Sequence, residues 1–249
     1  MTTQSKRTAL FCAGLAAFQA LIAAAAQAQA VSFIARRDFD GGENLAAVVL
    51  GDFNGDGLPD LAIAGHDTLV AYVSVLLSNG DGTFQPALYS VVRSQPQSIA
   101  VGDFNGDGVP DLAVDDGSSD SVSVLLGNGD GTFQAARNFY AWLNPVSVAV
   151  GDFNGDGVLD LAVANNNLAG TVSVLLGNGD GTFQPLQSFV ARRFPVSVAV
   201  GDFDRDGRQD LVVANHYSNN VSRCSWATGM GPSSSRRPSK LGAPLISLR

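Results

Sequence analysis

Apolar and polar positions along this chain alternate in short runs broken by acidic or glycine-rich turns. In one stretch, VSVAV (Val146 to Val150) alternates valine with small residues, and LAVA (Leu161 to Ala164) follows an acidic loop. TVSVLL (Thr171 to Leu176) and TFQPLQSFV (Thr182 to Val190) come next, separated by Asn178-Gly179-Asp180-Gly181. A period of two puts alternate side chains on opposite faces of a strand. Asn-Gly and Asp-Gly pairs supply the positive φ angles that tight hairpins need. The stretch therefore predicts four short antiparallel strands, and nothing beyond the first thirty residues has helical periodicity.

This unit recurs. GDFNGDGLPDLAIA, GDFNGDGVPDLAVD, GDFNGDGVLDLAVA and GDFDRDGRQDLVVA begin at Gly51, Gly102, Gly151 and Gly201, spaced 51, 49 and 50 residues apart. Four strands per unit of that length is the blade of a β-propeller, whereas a row of sandwich domains would need about 100 residues each. The expected fold is all-β: a propeller-type array of four-stranded antiparallel blades at about 45–90, 96–140 and 145–190, with a partial fourth over 195–222. SFIARRDF (Ser32 to Phe39) matches SFVARRFP (Ser188 to Pro195), so 31–39 reads as a lone outer strand, the usual means of closing a propeller. With three complete blades, an open or incomplete propeller is expected.

Each unit carries an acidic loop between its first two strands. The first offers Asp52, Asn54, Asp56, the Leu58 carbonyl and Asp60, with Gly55 and Gly57 where the chain turns. The others offer Asp103, Asn105, Asp107, Val109 and Asp111; Asp152, Asn154, Asp156, Val158 and Asp160; and Asp202, Asp204, Asp206, Arg208 and Asp210. Alternating oxygen donors around a glycine turn suit a hard cation such as Ca2+, and carboxylates so closely spaced repel one another without one. An EF-hand would need an acidic residue at the twelfth position, but Ile63, Val114, Val163 and Val213 stand there, in strands. Up to four Ca2+ ions, one per loop, are expected. The NGDG turns with Asp81, Asp130 and Asp180 offer too few oxygens and read as plain hairpins, and Phe53, Phe104, Phe153 and Phe203 read as core anchors.

These loops and the DLAVA strands that follow them resemble the FG-GAP (VCBS-type) repeats of bacterial exported proteins and of the integrin α-subunit propeller. The resemblance covers Val31 to Ser222 and implies a calcium-stabilised β-propeller serving mainly in binding and adhesion. It assigns the aspartates and asparagines above as calcium ligands. The fourth loop departs from the pattern, with Arg205 and Arg208 in place of glycine and an apolar residue.

Composition narrows the setting. Lys6 and Arg7 precede an Ala-rich apolar run from Thr8 to Ala26 and then Ala28-Gln29-Ala30, the layout of a cleaved signal peptide over 1–30. The expected location is secreted, cell-surface or periplasmic, with no membrane contact after cleavage. From Val31 to Ser222 there are 23 acidic residues, 8 arginines and no lysine, which excludes a nucleic-acid partner. Cys224 is the sole cysteine beyond the leader, so no internal disulfide forms. No Ser-His-Asp, Cys-His or zinc set is present, and His66 and His216 stand alone, so no enzyme activity is expected. The expected partner is an extracellular glycan or protein, met by the rim residues His66-Asp67, Asp115 to Asp120, Asn165 to Asn167, Asn215 to Asn220, and Tyr140 with Trp142. The alternative role is a noncatalytic propeller piece of a larger secreted protein or enzyme, such as a polysaccharide-active one.

The repeat breaks off in mid-strand. From Arg223 to Arg249 there are five basic residues and no acidic one, the composition of a disordered tail. Arg223 to Ser233 can be encoded so that a one-base shift reads V-F-L-G-N-G-D-G-T-F, in register with Val174 to Phe183. The tail over 223–249 therefore reads as a fourth blade out of frame.

Overall fold

A computed structural model describes residues 36–216 and the backbone of Val221–Ser225 and Ile246–Ser247. The leader, the start of the expected lone strand at 31–35 and most of the tail lie outside the described residues. Of the described residues, 36–38 belong to a unit separate from the rest, in which Arg36 and Asp38 pair at 2.7 Å.

The fold is all-β. The first sheet holds β1 (Ala47–Gly51), β2 (Asp60–His66), β3 (Ala71–Leu76) and β4 (Leu88–Val92) in sequential order. The second holds β5 (Ile99–Gly102), β6 (Asp111–Asp116), β7 (Ser121–Leu125) and β8 (Arg137–Tyr140). The third holds β9 (Pro145–Gly151), β10 (Asp160–Asn165), β11 (Thr171–Leu175) and β12 (Gln187–Val190). The fourth holds β13 (Pro195–Gly201), β14 (Asp210–Asn215), β15 (Val221–Ser225) and β16 (Ile246–Ser247). No sheet closes on itself, and the arrangement is an open, propeller-like array of blades. The repeat, the meander order and the acidic loop between each first and second strand follow the sequence pattern.

The fourth sheet differs from that pattern. A strand was expected to leave the repeat at Ser222, but β15 runs on to Ser225, and β16 joins it in parallel where every other pair is antiparallel. Backbone pairing is indifferent to side chains, so the ladder continues although the residues change. Val212 faces Arg223 and Leu211 faces Cys224, whereas in the third blade Ala162 faces Val174 and Leu161 faces Leu175. Near the other end, Arg36 to Phe39 is not a strand.

The core lies between blades. Each blade presents its phenylalanine, alanines and valines forward, and the next blade answers with its first two strands. Phe53, Ala62, Ala64, Val73 and Val75 thus cluster with Ile99, Leu112 and Val114. Phe104 and Val124 cluster with Val148 and Leu161, and Phe153 and Val174 with Val198 and Leu211. Burying one such side chain contributes about 1.5–3 kcal/mol, so a blade is stabilised chiefly by its neighbour. Rings stack edge-on across two joints, Phe53 on Phe133 at 5.9 Å and Phe104 on Phe183 at 5.7 Å. The expectation that Phe203 is a core anchor is corrected: it is 52% exposed, against 2%, 1% and 3% for Phe53, Phe104 and Phe153. No described blade follows the fourth to cover it.

Candidate metal loops

The first three acidic loops share one hydrogen-bond pattern. Asp52 Oδ1 accepts the N–H of Gly55 at 2.8 Å and of Asp56 at 3.1 Å, and Oδ2 accepts that of Gly57 at 2.9 Å. Asn54 Oδ1 accepts the Asp56 N–H at 3.1 Å, while its Nδ2 donates to Asp56 Oδ2 at 2.9 Å. Asp56 Oδ1 accepts the N–H of Leu58, the seventh-position residue whose carbonyl completes the expected donor set. Asp103, Asn105, Asp107 and Val109 repeat these bonds, as do Asp152, Asn154, Asp156 and Val158. Gly55 and Gly57 have φ of 75° and 81°, a region that costs other residues about 1–2 kcal/mol.

The ninth-position aspartates do something the sequence did not disclose. Asp60 is fully buried, accepting the N–H of Phe53 at 3.0 Å on Oδ2 and that of Ser78 at 2.8 Å on Oδ1. Asp111 does the same for Phe104 and Gly127, and Asp160 for Phe153 and Gly177. Each carboxylate thus ties its acidic loop to the hairpin between the third and fourth strands. Burial raises the Asp111 and Asp160 carboxyls above the usual range, with neighbouring loop aspartates adding to it and the two N–H donors opposing it.

The fourth loop is assembled differently. Asp202 accepts the N–H groups of Asp206 and Gly207, Asp206 that of Arg208, and Asp210 that of Phe203. The Gly207 N–H in particular holds the Asp202 carboxyl below its ordinary value. Arg205 stands at φ 62°, where the other loops have glycine. One carboxylate oxygen each from Asp202, Asp204 and Asp210 lie within 4.8 Å of one another, and Asp206 is outside that group. Donors to a single Ca2+ at about 2.4 Å lie no more than about 4.8 Å apart, so the three fit one such ion. Among the described residues no other trio of His, Cys, Asp or Glu does so. The third position explains the difference in part, being Asp204 here and an asparagine amide in the other loops.

The expected rim residues divide. The sequence pattern places Asp115, Asp116, Asn165 and Asn215 in loops open to a ligand, but all four are buried at strand ends. Asp115 Oδ1 accepts the N–H groups of Gln97 and Ser98, which pins the start of its own blade, while Oδ2 has no partner. Burial foremost, with Asp116 beside it, pushes the Asp115 carboxyl up to about 7. Asp116 accepts Ser121 and Ser123 hydroxyls. His66 ends β2, its Nδ1 3.0 Å from the Asp67 carbonyl. Tyr140 and Trp142 do reach the surface, their rings 6.2 Å apart and tilted by 52°. They edge a cavity of about 490 Å³ shared with Phe139, Phe183, Gln184 and Leu186.

The repeated loop, the strand that follows it and the inter-blade core together define a repeat protein. The FG-GAP-like repeat family matches residues 52–114, 115–163 and 152–213, more than half of the chain, and the chain belongs to that family. A search of curated proteins gave no match. Among solved structures, a Photorhabdus luminescens Tc holotoxin pore is similar at 18% identity and a TM-score of 0.43, over 71% of this chain and 9% of that one. The V. cholerae biofilm matrix protein Bap1 is similar at 19% identity and a TM-score of 0.38, over 73% of this chain and 38% of that one. This chain therefore spans a minor part of either protein.

Proposed function

We propose that this chain is an exported, calcium-stabilised repeat module that binds an extracellular glycan or protein and performs no catalysis. The observation that carries the metal reading is the approach of Asp202, Asp204 and Asp210 oxygens to within 4.8 Å, a spacing suited to one Ca2+. In the other loops Asp52, Asn54, Asp56 and Asp60 and their counterparts supply hard oxygen donors in the same order. A bound Ca2+ would offset the repulsion among these carboxylates. The chain's own contribution is to fix the loops, through backbone N–H groups on the first aspartate and the buried ninth-position carboxylate.

The binding reading rests on Tyr140 and Trp142, exposed at the mouth of an aromatic cavity. Flat rings of this kind stack on sugar faces, with Gln184 beside them as a polar handle. The family membership and the Ala-rich leader support export. Thermal melts with Ca2+ and with excess EGTA, followed by a glycan array with the calcium-loaded chain, test the proposal. A lower melting temperature in EGTA and a calcium-dependent glycan signal are expected. Identical melting curves would remove the metal reading, and a well-folded, loaded chain that captures no glycan would remove the sugar reading.

A second reading, a noncatalytic piece of a larger secreted protein, is favoured by the register of β15. Arg223 takes the place that Val75, Val124 and Val174 hold in the other blades. That exchange is what a one-base shift at codon 223 would produce. The gene sequence tests that shift, and a gene in which no shifted frame restores L-G-N-G-D-G-T-F rules the frameshift out.

A further inference from the structure

The three joints inside this chain are one contact made three times, and both halves of a fourth copy stand open. On the receiving side, Ile99, Val148 and Val198 stand at one repeat position on the first strands of blades two to four and are only 6%, 6% and 7% exposed. Their counterpart in the first blade, Val48, is 58% exposed, and Leu50, the counterpart of the partly buried Val101, Val150 and Val200, is 62% exposed. Leu61 and Ile63 are half-buried where Leu112 and Val114 are fully buried.

The outer part of that first-blade face is already covered by the chain itself. Phe39 stacks edge-on against Phe84 at 5.0 Å, as Phe139 of the second blade stacks on Phe183 of the third at 5.1 Å. Ser74 donates its hydroxyl to the Gly41 carbonyl, as Ser173 does to that of Ala141. Residues from Phe39 to Gly41 thus imitate the end of a preceding blade, and the inner half is left for something else to cover. On the presenting side, Phe203 is 52% exposed, and Val212 and Ala214 are half-buried where Ala162 and Ala164 are fully buried.

We infer that a second copy of this chain docks head to tail, the fourth blade's Phe203 face of one molecule against the Val48–Leu50 face of the other. The occupant follows from continuity with the joints already present: what covers Ile99 in this protein is a blade carrying phenylalanine and small apolar residues, and the fourth blade offers that surface. Such a contact is heterologous, so two copies close a ring or more copies extend a filament.

Sedimentation of the full chain across about 1 μM to about 1 mM, the range of weak specific affinities, tests the inference. Association that rises with concentration is expected, and Val48→Asp and Phe203→Asp each abolish it. Because both side chains are more than half exposed, each variant stays folded, which a cooperative melt within a few degrees of the parent chain's confirms. Mixing the two variants restores one intact joint, so a 1:1 heterodimer forms although neither variant self-associates. A chain that stays monomeric throughout overturns the inference, as do variants that still self-associate, which would mean that like faces pair, and a mixture of the two variants that stays monomeric.

Discussion

The backbone N–H of Gly131 donates to the carbonyl of Phe53 at 2.9 Å, joining the hairpin turn of the second blade to the acidic loop of the first. Gly181 and Phe104 repeat the bond one blade on, at 3.0 Å. The loops that carry the candidate metal ligands are thus also the splints between blades. Gly131 has φ of 85°, and a methyl there would lie 2.8 Å from Leu77 Cδ2. Gly131→Ala should therefore lower stability by about 2–4 kcal/mol, combining backbone strain with a clash. Gly55→Ala, whose methyl would meet open space, should cost only about 1–2 kcal/mol. Urea denaturation of the two variants measures the difference, and equal losses would show that the joint is not strained by the added methyl.

The phenylalanines that occupy one repeat position should differ sharply in energetic weight. Phe104→Ala, at 1% exposure, is expected to cost about 3–5 kcal/mol, whereas Phe203→Ala, at 52%, should cost less than about 1 kcal/mol in the monomer. Melting the two variants at micromolar concentration makes the comparison, and similar losses would mean that the fourth blade's face is covered after all.

Asp115 predicts a pH dependence of defined sign. Its carboxyl titrates at about 7 in the folded chain, against 3.8 for an unperturbed aspartate. The folded state therefore holds the proton more tightly. The stability it contributes is full below about 3.8 and is lost as pH rises through about 7. The loss is on the order of a few kcal/mol. Asp115→Asn, neutral at every pH and still able to accept the Gln97 and Ser98 N–H groups, should flatten the fall in melting temperature between pH 5 and pH 8. Parallel curves for the two proteins would show that Asp115 does not hold this proton.

Asp204 gives the fourth loop its third converging carboxylate. Asp204→Asn converts that position to the residue of the other loops and should weaken the fourth loop's Ca2+ affinity about tenfold, or about 1.4 kcal/mol. Calorimetric titration reads this as the loss of one site's affinity with the others unmoved. A titration indistinguishable from that of the parent chain would count against Asp204 as a ligand.

Trp142 sits at φ 76°, a region that disfavours a bulky residue, and Gly42 stands at the matching place ahead of the first blade with φ of 108°. Trp142→Gly should relieve about 1 kcal/mol of backbone strain while removing half of the aromatic shelf. Raised thermal stability with lost glycan capture is the expected pair of results. Unchanged capture would move the ligand site elsewhere.

Much of the architecture was legible in the chain because it is local. The alternation from Val146 to Val150 makes a strand, Asn178-Gly179 makes a turn, and the spacing of Asp52, Asn54 and Asp56 makes a loop, each within a few residues and each repeated. What was misread depended on distance. Asp115 and Asn165 look like polar loop residues beside the glycines and serines that follow, yet the ladder carries them to buried strand ends. A second role of Asp60 was hidden for the same reason: its spacing as an expected cation ligand is local, but only folding brings the N–H of Ser78, eighteen residues on, to its carboxylate.

Periodicity and turn chemistry alone specify the blade, its four strands and the order of oxygen donors in each acidic loop. Packing between blades then selects which of the four equivalent phenylalanines are core, which acidic loop gathers three carboxylates, and which faces stay open. Identical motifs diverge there because burial is supplied by the neighbouring blade. Phe153 has the fourth blade in front of it, and Phe203 has solvent.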